Sequence, residues 1–494
     1  MKVKRLHLQN YGRFEDLKID FAPTAEKTGN VTVIVGNNGA GKSQILQALA
    51  TSLSWFVSRL VSDTDGFEVD KALIKNGKND AEINVLVDFG ENNPSPYGPI
   101  EDAYWTISNV RDGRINSFSR STKELKKSVR NFRLNLTSKD EFSLPIVSFY
   151  PVNRGVDSSF TETSKNFFSD QLIAYENALE SSVSFESFFV WFREREDIEN
   201  QESRMMEESI VKEVEESNRL IKLSLSILNN KEGGQSRLDD RKELESRLER
   251  LFSLIETGRS ELARGINMTD KPLSCVRSSI ERFTSFENIR IRRQGTPTMV
   301  VEKDGEELDV NQLSQGEKSL LALVGDIARR LALLNPSLDN PLEGEGVVMI
   351  DEVDLHLHPK WQHDLIDKLV DTFPNVQFIL TTHSPHVISD RNDILLYSLD
   401  DGELTEMPNV YGEDANTVLT KIFDVDIRDS KVEEQFTVIR RAISNQDYPK
   451  AENKIAELVE KLPSDHLELL KCRLLLAQAK LASGNNNEPS HAKD

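Results

Sequence analysis

The chain has 494 residues, and its 61 Lys and Arg against 82 Asp and Glu give a formal net charge of −21, which argues against a generally basic nucleic-acid binder. The hydrophobic fraction of 38% is enough for a large core and excludes a wholly disordered chain. The two cysteines, Cys275 and Cys472, exclude a disulfide framework, and with no visible secretory signal or membrane-spanning apolar run they favour a cytoplasmic protein without membrane contact.

The first part of the chain predicts strands followed by a helix. Residues 2–9 and 17–21 alternate apolar and polar side chains, as half-buried strands do. Residues 31–35 form a short apolar, β-branched run that ends at Gly36. Residues 43–60 carry apolar side chains at helical spacing, so a strand–loop–helix unit is expected here.

The rest of the chain changes character several times. Residues 66–150 predict a β-rich stretch, because alternating segments are separated by polar turns. Residues 170–262 predict two helical arms joined by a turn at 229–235, with too imperfect a heptad pattern for a long coiled coil. Alternating strands and helices return over 283–410, and residues 430–482 predict helices again.

The strongest local motif is the run GNNGAGKS, which lies between the predicted strand and the predicted helix. In such G-x-x-x-x-G-K-S loops the main-chain N–H groups surround phosphate oxygens, and the glycines permit the close turns. Lys42 is expected to reach the β- and γ-phosphates, and the Ser43 hydroxyl to bind Mg²⁺. The predicted nucleotide-binding residues are Gly36, Asn37, Asn38, Gly39, Ala40, Gly41, Lys42, Ser43 and Gln44.

A pair of carboxylates, Asp351 and Glu352, ends a predicted buried strand at 347–350. Adjacent residues of a strand point to opposite sides, so the two carboxylates can have different roles. Asp351 is the candidate magnesium ligand, directly or through water, and Glu352 is the candidate group that polarises the attacking water. Many strands end in Asp-Glu, and it is the upstream phosphate-binding loop that favours this interpretation.

The run LSQGEKS at 313–319 precedes a long helical stretch and resembles the LSGGQ-type signature of ATP-binding-cassette ATPases. Main-chain N–H groups at a helix N-terminus form an anion site. The resemblance implies that Ser314, Gln315, Gly316 and Glu317 contact the γ-phosphate of ATP held by a second subunit, so that two ATP molecules lie between two heads. The same residues also fit a capping box with Ser314 as N-cap and Glu317 at N3, and both interpretations can hold together.

His383 follows another predicted strand, at 378–381, and lies 32 residues after Asp351. A lone histidine is more often structural, but this order and spacing resemble the switch histidine of the same superfamily, which implies contact with the γ-phosphate. The four motifs in this order resemble an ABC-type ATPase, in which Lys42, Glu352 and His383 would be the catalytic residues.

The 272 positions from Lys42 to Ser314 exceed the spacing in a transporter cassette, and the opening L-x-L-x-N-Y-x-x-F at 6–14 resembles the start of RecF-like and SMC-like heads. The resemblance implies an α/β fold: an ABC-type head with a β-rich subdomain, a helical insertion and a C-terminal helical domain. The predicted domains are 1–165 for the first half of the head, 166–265 for the insertion, 266–428 for the second half of the head, 429–482 for the C-terminal helical domain and 483–494 for a disordered tail.

Less specific sequence features narrow the resemblance to a smaller group of ATPases. They are LPIVSFY at 144–150, which ends near Arg154, then FFVWF at 188–192, DEVDLHLHP at 351–359 and Y-G-x-x-A-N-T-x-L at 411–419. With them the chain resembles the PtuA-like ATPases of Septu-type and retron-linked anti-phage defence systems over most of its length.

That resemblance implies a slow regulatory ATPase that uses ATP and Mg²⁺, pairs with itself head to head, and controls a separate HNH-type nuclease. In retron-linked versions a reverse transcriptase with its RNA/DNA product would join the complex, and nucleic acid would be reached through that complex. No nuclease constellation is visible in this chain. Two alternatives stay open: a RecF-like repair ATPase that acts on DNA ends or gaps, and a scaffold with a locked nucleotide.

Further residue groups allow two interpretations each. His356 and His358 invite a zinc site, but two imidazoles are too few ligands, and we favour a place at the dimer interface. The cluster at 290–293 and the pair 126–127 are either nucleic-acid contacts or solvated surface. The helices predicted between 435 and 482 resemble one tetratricopeptide unit, which would pack on the head or dock a partner.

Overall fold

The computed structural model divides the chain into two compact units, Met1–Gly412 and Glu413–Asp494. The predicted start of the C-terminal helical domain, residue 429, lies inside the second unit, and the predicted domain boundaries stay a prediction. The described residues are 1–90, 102–111, 121–138, 142–155, 171–180, 183–184, 186–229, 246, 250, 270–295, 297–389, 391–422, 430–463 and 466–484.

The secondary structure of the described residues alternates between strands and helices through most of the first unit. The strands are β1 (Lys2–Tyr11), β2 (Phe14–Asp20), β3 (Val31–Gly36), β4 (Asp80–Asp88), β5 (Ala103–Val110), β6 (Ile146–Tyr150), β7 (Arg154–Gly155), β8 (Val183–Ser184), β9 (Glu287–Arg292), β10 (Thr298–Lys303), β11 (Glu306–Asp309), β12 (Gly346–Ile350), β13 (Val376–Thr381), β14 (Leu395–Asp400) and β15 (Glu403–Glu406). The helices are α1 (Lys42–Val61), α2 (Lys123–Ser138), α3 (Glu186–Asn229), α4 (Lys271–Thr284), α5 (Gln315–Leu334), α6 (Pro359–Gln362), α7 (Leu365–Thr372), α8 (Pro385–Ile388), α9 (Ala415–Ile422), α10 (Ser430–Ser444), α11 (Tyr448–Val459) and α12 (Leu467–Gly484).

The motifs predicted to bind nucleotide lie on a six-stranded sheet with the order β15-β14-β3-β13-β12-β6. The strands from β14 to β6 run parallel, and β15 pairs antiparallel at the edge. β3, β12 and β13 are buried along their whole length, as central strands of a covered parallel sheet are. Because the carboxyl ends of neighbouring parallel strands meet at one edge, the phosphate-binding loop, the Asp-Glu pair and His383 all leave the sheet on the same side.

A four-stranded antiparallel sheet, in the order β2-β1-β4-β5, is joined to this core by the side chain of Gln377 on β13. The buried Gln377 amide accepts a hydrogen bond from the main-chain N–H of Val3 at 2.7 Å. It donates to the carbonyl oxygens of Val3 at 2.8 Å and Ala22 at 2.7 Å. Because the amide satisfies both main-chain groups of Val3, it takes the place of a missing strand neighbour.

Helix α2 corrects the expectation of a β-rich stretch over 66–150, which also contains β4, β5 and β6. Its apolar residues Leu125, Val129 and Phe132 recur at helical spacing and are buried. The Phe132 ring lies edge-on to Phe56 of α1, with 5.5 Å between the ring centroids. Helix α2 therefore packs on the outer side of α1. The segment is helical because its three apolar residues are spaced to bury one face of a helix.

Helix α3 occupies part of the predicted helical insertion, and most of the predicted turn at 229–235 and the second arm lie outside the described residues. Its first turns are fixed to α4 by Arg277, which pairs with Glu196 at 3.0 Å and with Glu199 at 2.8 Å. None of the helices in the described ranges has the length and apolar content of a membrane span.

Helix α5 carries a buried network of charges that faces β6. Asp326 accepts hydrogen bonds from Arg329 at 2.7 Å, from Arg330 at 2.7 Å and from the Tyr150 hydroxyl at 2.9 Å. Burial alone would raise the pKa of Asp326, but the charges and hydrogen bonds of Arg330 and Arg329 hold that pKa well below its usual range. The carbonyl of Tyr150 in turn accepts from the main-chain N–H of Asp351 at 2.9 Å, so the network connects α5 to the Asp-Glu pair.

The second unit contains α9 and the helices α10, α11 and α12. The last three pack around buried side chains that include Phe436, Ile439, Leu458, Leu469 and Cys472. This agrees with the predicted helical hairpin between residues 435 and 482. Other leucines of α12 are exposed, namely Leu467, Leu470, Leu474, Leu475 and Leu481.

Candidate functional site

The phosphate-binding loop leaves β3 at Gly36 and enters α1 at Lys42, and two of its positions require glycine. Gly36 has φ of 150°, and a Cβ there would lie 2.1 Å from the carbonyl oxygen of Leu399. Gly41 has φ of 111°, and a Cβ there would lie 2.7 Å from the Phe14 ring. Positive φ and close neighbours both demand glycine, so the loop passes between β14 and the first hairpin without side chains at these points.

Arg13 holds the outer side of the loop. Its guanidinium donates to the carbonyl of Gly39 and pairs with Asp401 at 2.9 Å. Its main-chain N–H donates to Oε1 of Gln44 at 3.1 Å, so the predicted nucleotide-binding residue Gln44 already has a protein partner. Sequence reasoning missed Arg13, and its place in the short turn between two strands of the opening hairpin is the pattern that could have identified it.

Lys42 lies inside the loop with its ammonium group directed at three acceptors. Its Nζ donates to the carbonyls of Gly36 at 2.8 Å and Asn37 at 3.2 Å, and it lies 2.8 Å from Nε2 of His383. Burial lowers the pKa of Lys42, and the carboxylates of Asp351, Glu352 and Asp354 oppose that effect. The same three carboxylates act on His383, so the structure brings Lys42, His383 and the Asp-Glu pair together.

Thr381, at the end of β13, holds both predicted carboxylate residues. Its hydroxyl donates to Oδ1 of Asp351 at 2.5 Å and accepts from the main-chain N–H of Glu352 at 2.8 Å. Glu352 has φ of 47°, a left-handed conformation that a residue with a long side chain rarely adopts. Asp351 is buried and Glu352 is half-buried, so the second carboxylate is the one that solvent reaches.

Arg154 supports the same two residues from the other side through their main chain. Its guanidinium donates to the carbonyls of Asp351 at 2.8 Å, Glu352 at 2.9 Å and Pro151 at 3.1 Å. Burial lowers the pKa of Arg154, and the nearby carboxylates oppose that shift. The sequence placed Arg154 only near the end of the run at 144–150. It could not predict the contacts with Asp351 and Glu352, because these residues lie 197 and 198 positions further along the chain.

The remaining loop residues leave room for a nucleotide and a metal ion. Asn37, Asn38 and Ser43 are exposed, and a Cβ added at the exposed Gly39 would meet nothing within 4 Å. In the described ranges no group of three or more His, Cys, Asp or Glu is arranged to hold a metal. Magnesium in phosphate-binding sites is held by one or two protein oxygens together with phosphates and water, so a hydroxyl at Ser43 and a carboxylate at Asp351 fit that chemistry.

The signature residues form a capped helix start, as their spacing predicts. Ser314 Oγ accepts from the main-chain N–H of Glu317 at 3.3 Å, and Glu317 Oε2 accepts from the N–H of Ser314 at 2.9 Å. Lys303 pairs with Glu317 at 2.6 Å. Gln315 is exposed and Gly316 is buried. Among the described residues, no hydrogen bond of these four residues reaches the phosphate-binding loop of the same chain.

Gly316 explains why the signature lies beside the segment that follows the Asp-Glu pair. A Cβ at Gly316 would lie 2.3 Å from the carbonyl oxygen of His356, so only glycine allows this approach. His358 caps α6, because its Nδ1 accepts from the N–H of Lys360 at 3.2 Å. The contact places the signature next to His356 on the surface of one chain.

A phosphate-binding loop after the first core strand, an Asp-Glu pair on the second strand away from it, and a histidine between them define a P-loop ATPase head of the ABC type. The family model described as an AAA ATPase domain matches residues 1–388. Among solved structures, the SMC head domain of Pyrococcus furiosus, with an extended coiled coil and bound to the C-terminal domain of ScpA, matches with a TM-score of 0.42 and 16% identity. That match covers 82% of this chain and 96% of the other.

Two curated relatives narrow the class further. The retron Ec83 probable ATPase of Escherichia coli is 33% identical over 439 residues, which cover 86% of this chain and 76% of that protein. The Septu protein PtuA of Bacillus thuringiensis is 29% identical over 211 residues, which cover 39% of this chain and 51% of that protein. The chain belongs to the AAA ATPase-domain family and, within it, to the PtuA-like ATPases of retron and Septu defence systems. The family predicted from the motifs is therefore confirmed.

Proposed function

We propose that this chain is the ATP-hydrolysing regulatory subunit of an anti-phage defence complex. The observation that carries the proposal is the 2.8 Å contact between Lys42 Nζ and His383 Nε2 beside the Asp351–Glu352 pair. It supports the proposed roles of Lys42 as the phosphate-binding cation and of Glu352 as the carboxylate that activates water, since both lie at one edge of the sheet. The similarity to a retron ATPase and to a Septu protein supports the defence role.

In this proposal each residue of the site has a distinct task. Lys42 exchanges its loop carbonyls for the β- and γ-phosphates of ATP, and His383 contacts the γ-phosphate. Glu352 accepts a proton from the attacking water. A magnesium ion held by Ser43 and Asp351 would neutralise charge that develops on the phosphates. Turnover is slow, so ATP acts as a switch ligand as well as a fuel.

We further propose that two copies meet head to head around ATP. Among the described residues of one chain, the side-chain hydrogen bonds of Ser314 and Glu317 go to each other's main chain and to Lys303. The capped N-terminus of α5 offers main-chain N–H groups and a positive helix end to a phosphate. Ser314, Gln315, Gly316 and Glu317 would therefore complete the site of the second copy.

The catalytic assignment is tested by comparing Glu352→Gln with Lys42→Ala. Glu352→Gln removes the proton acceptor and keeps phosphate binding, so we expect ATPase activity to fall on the order of 10²-fold or more while ATP still drives dimer formation. Lys42→Ala should lose both activity and ATP-dependent dimers. Glu306→Gln, which makes the same change at an exposed glutamate on β11, is the matched control and should retain wild-type activity. Full activity in Glu352→Gln would contradict the proposed role and favour a scaffold in which hydrolysis is incidental.

The partner of the proposed complex is a separate HNH-type nuclease, accompanied in a retron by a reverse transcriptase and its RNA/DNA product. The test is purification of tagged protein expressed from its native operon with ATP and Mg²⁺, followed by mass spectrometry and nucleic-acid extraction. Recovery of a small HNH protein that depends on an intact Lys42 would support the proposal. Recovery of replication or repair proteins would overturn it in favour of a RecF-like repair ATPase.

A further inference from the structure

Helix α2 presents a row of positive charges to solvent. Lys123, Lys126, Arg130 and Arg133 follow one another at intervals of three or four residues, so they share one side of the helix, and Lys127 lies next to them. All five side chains are exposed, and we call them the basic stripe. The stripe runs for about 15 Å at 1.5 Å per residue. It belongs to a chain whose net charge is −21, so it is a local reversal of the overall charge.

The basic stripe borders a groove between α1 and α2. This groove has a volume of about 540 Å³, and its charged lining consists of Lys126, Arg130 and Arg133 from the stripe, Arg59 from α1, and Asp63. The lining has four cations and one carboxylate, and Arg59 is also paired with Asp65, so the groove keeps a positive balance. The remaining lining residues include no aromatic side chain on which a nucleobase could stack.

Arg59 lies at the inner wall of the groove and is only 8% exposed. One side of its guanidinium pairs with Asp65, and the group lies 5.5 Å from the centroid of the Trp55 ring. Its Nε is buried without a hydrogen-bond partner. A buried guanidinium with an unused donor is costly, so the inner wall of the groove carries a cation whose hydrogen bonds are not all satisfied within the described residues.

Within the described residues, most charges of the basic stripe have no carboxylate partner. Arg133 has a weak ion pair with Asp63, at 3.5 Å. In the part of the chain that the structure describes, Lys126, Lys127 and Arg130 have no carboxylate within ion-pair distance. As far as the described ranges go, no carboxylate competes with an external anion for these cations.

The other candidate cluster, at 290–293, differs in this respect. Arg290 pairs with Glu307, and Arg292 lies 3.3 Å from Asp309. Arg293 pairs with Glu196 at 2.9 Å and with Asp197 at 2.6 Å. Each arginine of this cluster is neutralised by a carboxylate of its own chain, so the structure favours the surface interpretation for 290–293.

We propose that the groove between α1 and α2, with the basic stripe at its rim, binds the phosphate backbone of nucleic acid. A row of cations with a buried arginine beside it suits a polyanion with regularly repeated charges. Without aromatic or base-reading groups in the groove, binding is independent of nucleotide sequence. The proposal goes beyond the proposed function, because it gives this chain a direct nucleic-acid contact that needs no nuclease partner.

An acidic protein segment is the other polyanion that could approach such a surface. Protein interfaces obtain most of their affinity from buried apolar or aromatic anchors, and the groove offers them little beyond Leu134, which is 37% exposed. The observations therefore favour nucleic acid, and polyglutamate serves as the competing probe in the test.

The test measures binding of a fluorescein-labelled DNA duplex of unrelated sequence, and of its separate strands, to the full chain by anisotropy at several salt concentrations. The variant Lys126→Gln/Arg130→Gln removes two cations without touching the ATP site. We expect its Kd to rise on the order of tenfold for every DNA sequence, and the slope of log K against log salt to fall by about two.

The control variant Lys71→Gln/Lys450→Gln removes two other exposed lysines and should bind DNA as the wild type does. ATPase activity measured on the same preparations reports folding and the proposed catalytic function independently of DNA binding. Wild-type affinity and salt slope in Lys126→Gln/Arg130→Gln would overturn the proposal. It would equally be overturned if polyglutamate, and no DNA, bound to the wild type and was lost in this variant.

Discussion

Lys42 and His383, which are 341 residues apart in the chain, share a contact of 2.8 Å between Nζ and Nε2. A lysine ammonium group can only donate, so Nε2 of His383 accepts the hydrogen bond and carries no proton. Burial and the charge of Lys42 lower the pKa of His383, although Glu352, Asp354 and Asp351 oppose the shift. The His383 ring is therefore neutral at physiological pH. It can accept a hydrogen bond without competing with Lys42 for a negatively charged ligand.

This contact predicts how the stability of the protein depends on pH. The folded-state pKa of His383 lies below its ordinary value of 6.5, so the unfolded chain binds the proton more tightly. Stability from this residue is complete above pH 6.5 and is lost as the pH falls below that value. Urea unfolding at about pH 7.5 and pH 5.5 should show a smaller loss for His383→Gln than for the wild type. Equal losses in both proteins would contradict the prediction.

The contacts of Arg154 predict that this residue positions the Asp351–Glu352 pair for catalysis. Arg154→Lys keeps the charge and loses the forked hydrogen bonds to the carbonyls of Asp351 and Glu352, so both carboxylates shift slightly. We expect kcat for ATP hydrolysis to fall roughly 10- to 100-fold with little change in KM. Arg391→Lys is a suitable control, because Arg391 also makes a forked pair, with Asp393, away from this site. A change in KM alone would show that Arg154 affects nucleotide binding instead.

The hydrogen bonds of the buried Gln377 amide predict a large loss of stability when this side chain is replaced. Gln377→Leu has a similar volume but leaves the N–H of Val3 unpaired and removes one donor each from the carbonyls of Val3 and Ala22. We expect the free energy of unfolding to fall by about 3 kcal/mol, since buried unpaired groups cost about 1–3 kcal/mol each. Gln201→Leu, at an exposed position of α3, should change it by less than about 0.5 kcal/mol. Similar urea midpoints for the two variants would disprove the role of the amide.

The close packing of Gly316 predicts that one added methyl group would push the signature away from the main chain at His356. Alanine favours a helix over glycine by about 1 kcal/mol, so Gly316→Ala should stabilise α5 if the site were open. The Cβ would instead lie 2.3 Å from a main-chain carbonyl that cannot rotate away. We expect a net loss of about 1–3 kcal/mol in thermal unfolding, while Gln315→Ala at the exposed neighbouring position leaves stability unchanged or raised. A stabilised Gly316→Ala protein would mean that the two segments are not in firm contact.

Local patterns predicted the parts of the site that are built from consecutive residues. The loop from Gly36 to Ser43, the strand before Asp351 and the capping box at Ser314 each depend on spacing within a few residues, so the sequence contains them directly. The contacts of Arg13, Arg154 and Thr381 depend on which distant segments the sheet brings together, and no local pattern encodes that order. Helix α2 was missed for a different reason: its three inward apolar residues are diluted by lysines and arginines on the exposed side.

The strand order has a consequence for how the protein is made. β3, which leads into the phosphate-binding loop, pairs on one side with β13 and on the other with β14. These neighbours leave the ribosome 340 and 359 residues after β3 (376 − 36 and 395 − 36), which is roughly 20–70 s at 5–20 residues per second. During that interval an apolar strand that is buried in the finished fold has two open edges, whereas β1, β2, β4 and β5 pair within the first 110 residues. The six-stranded sheet that holds the candidate ATP site therefore cannot be completed until translation has reached residue 400, and β3 needs protection until then.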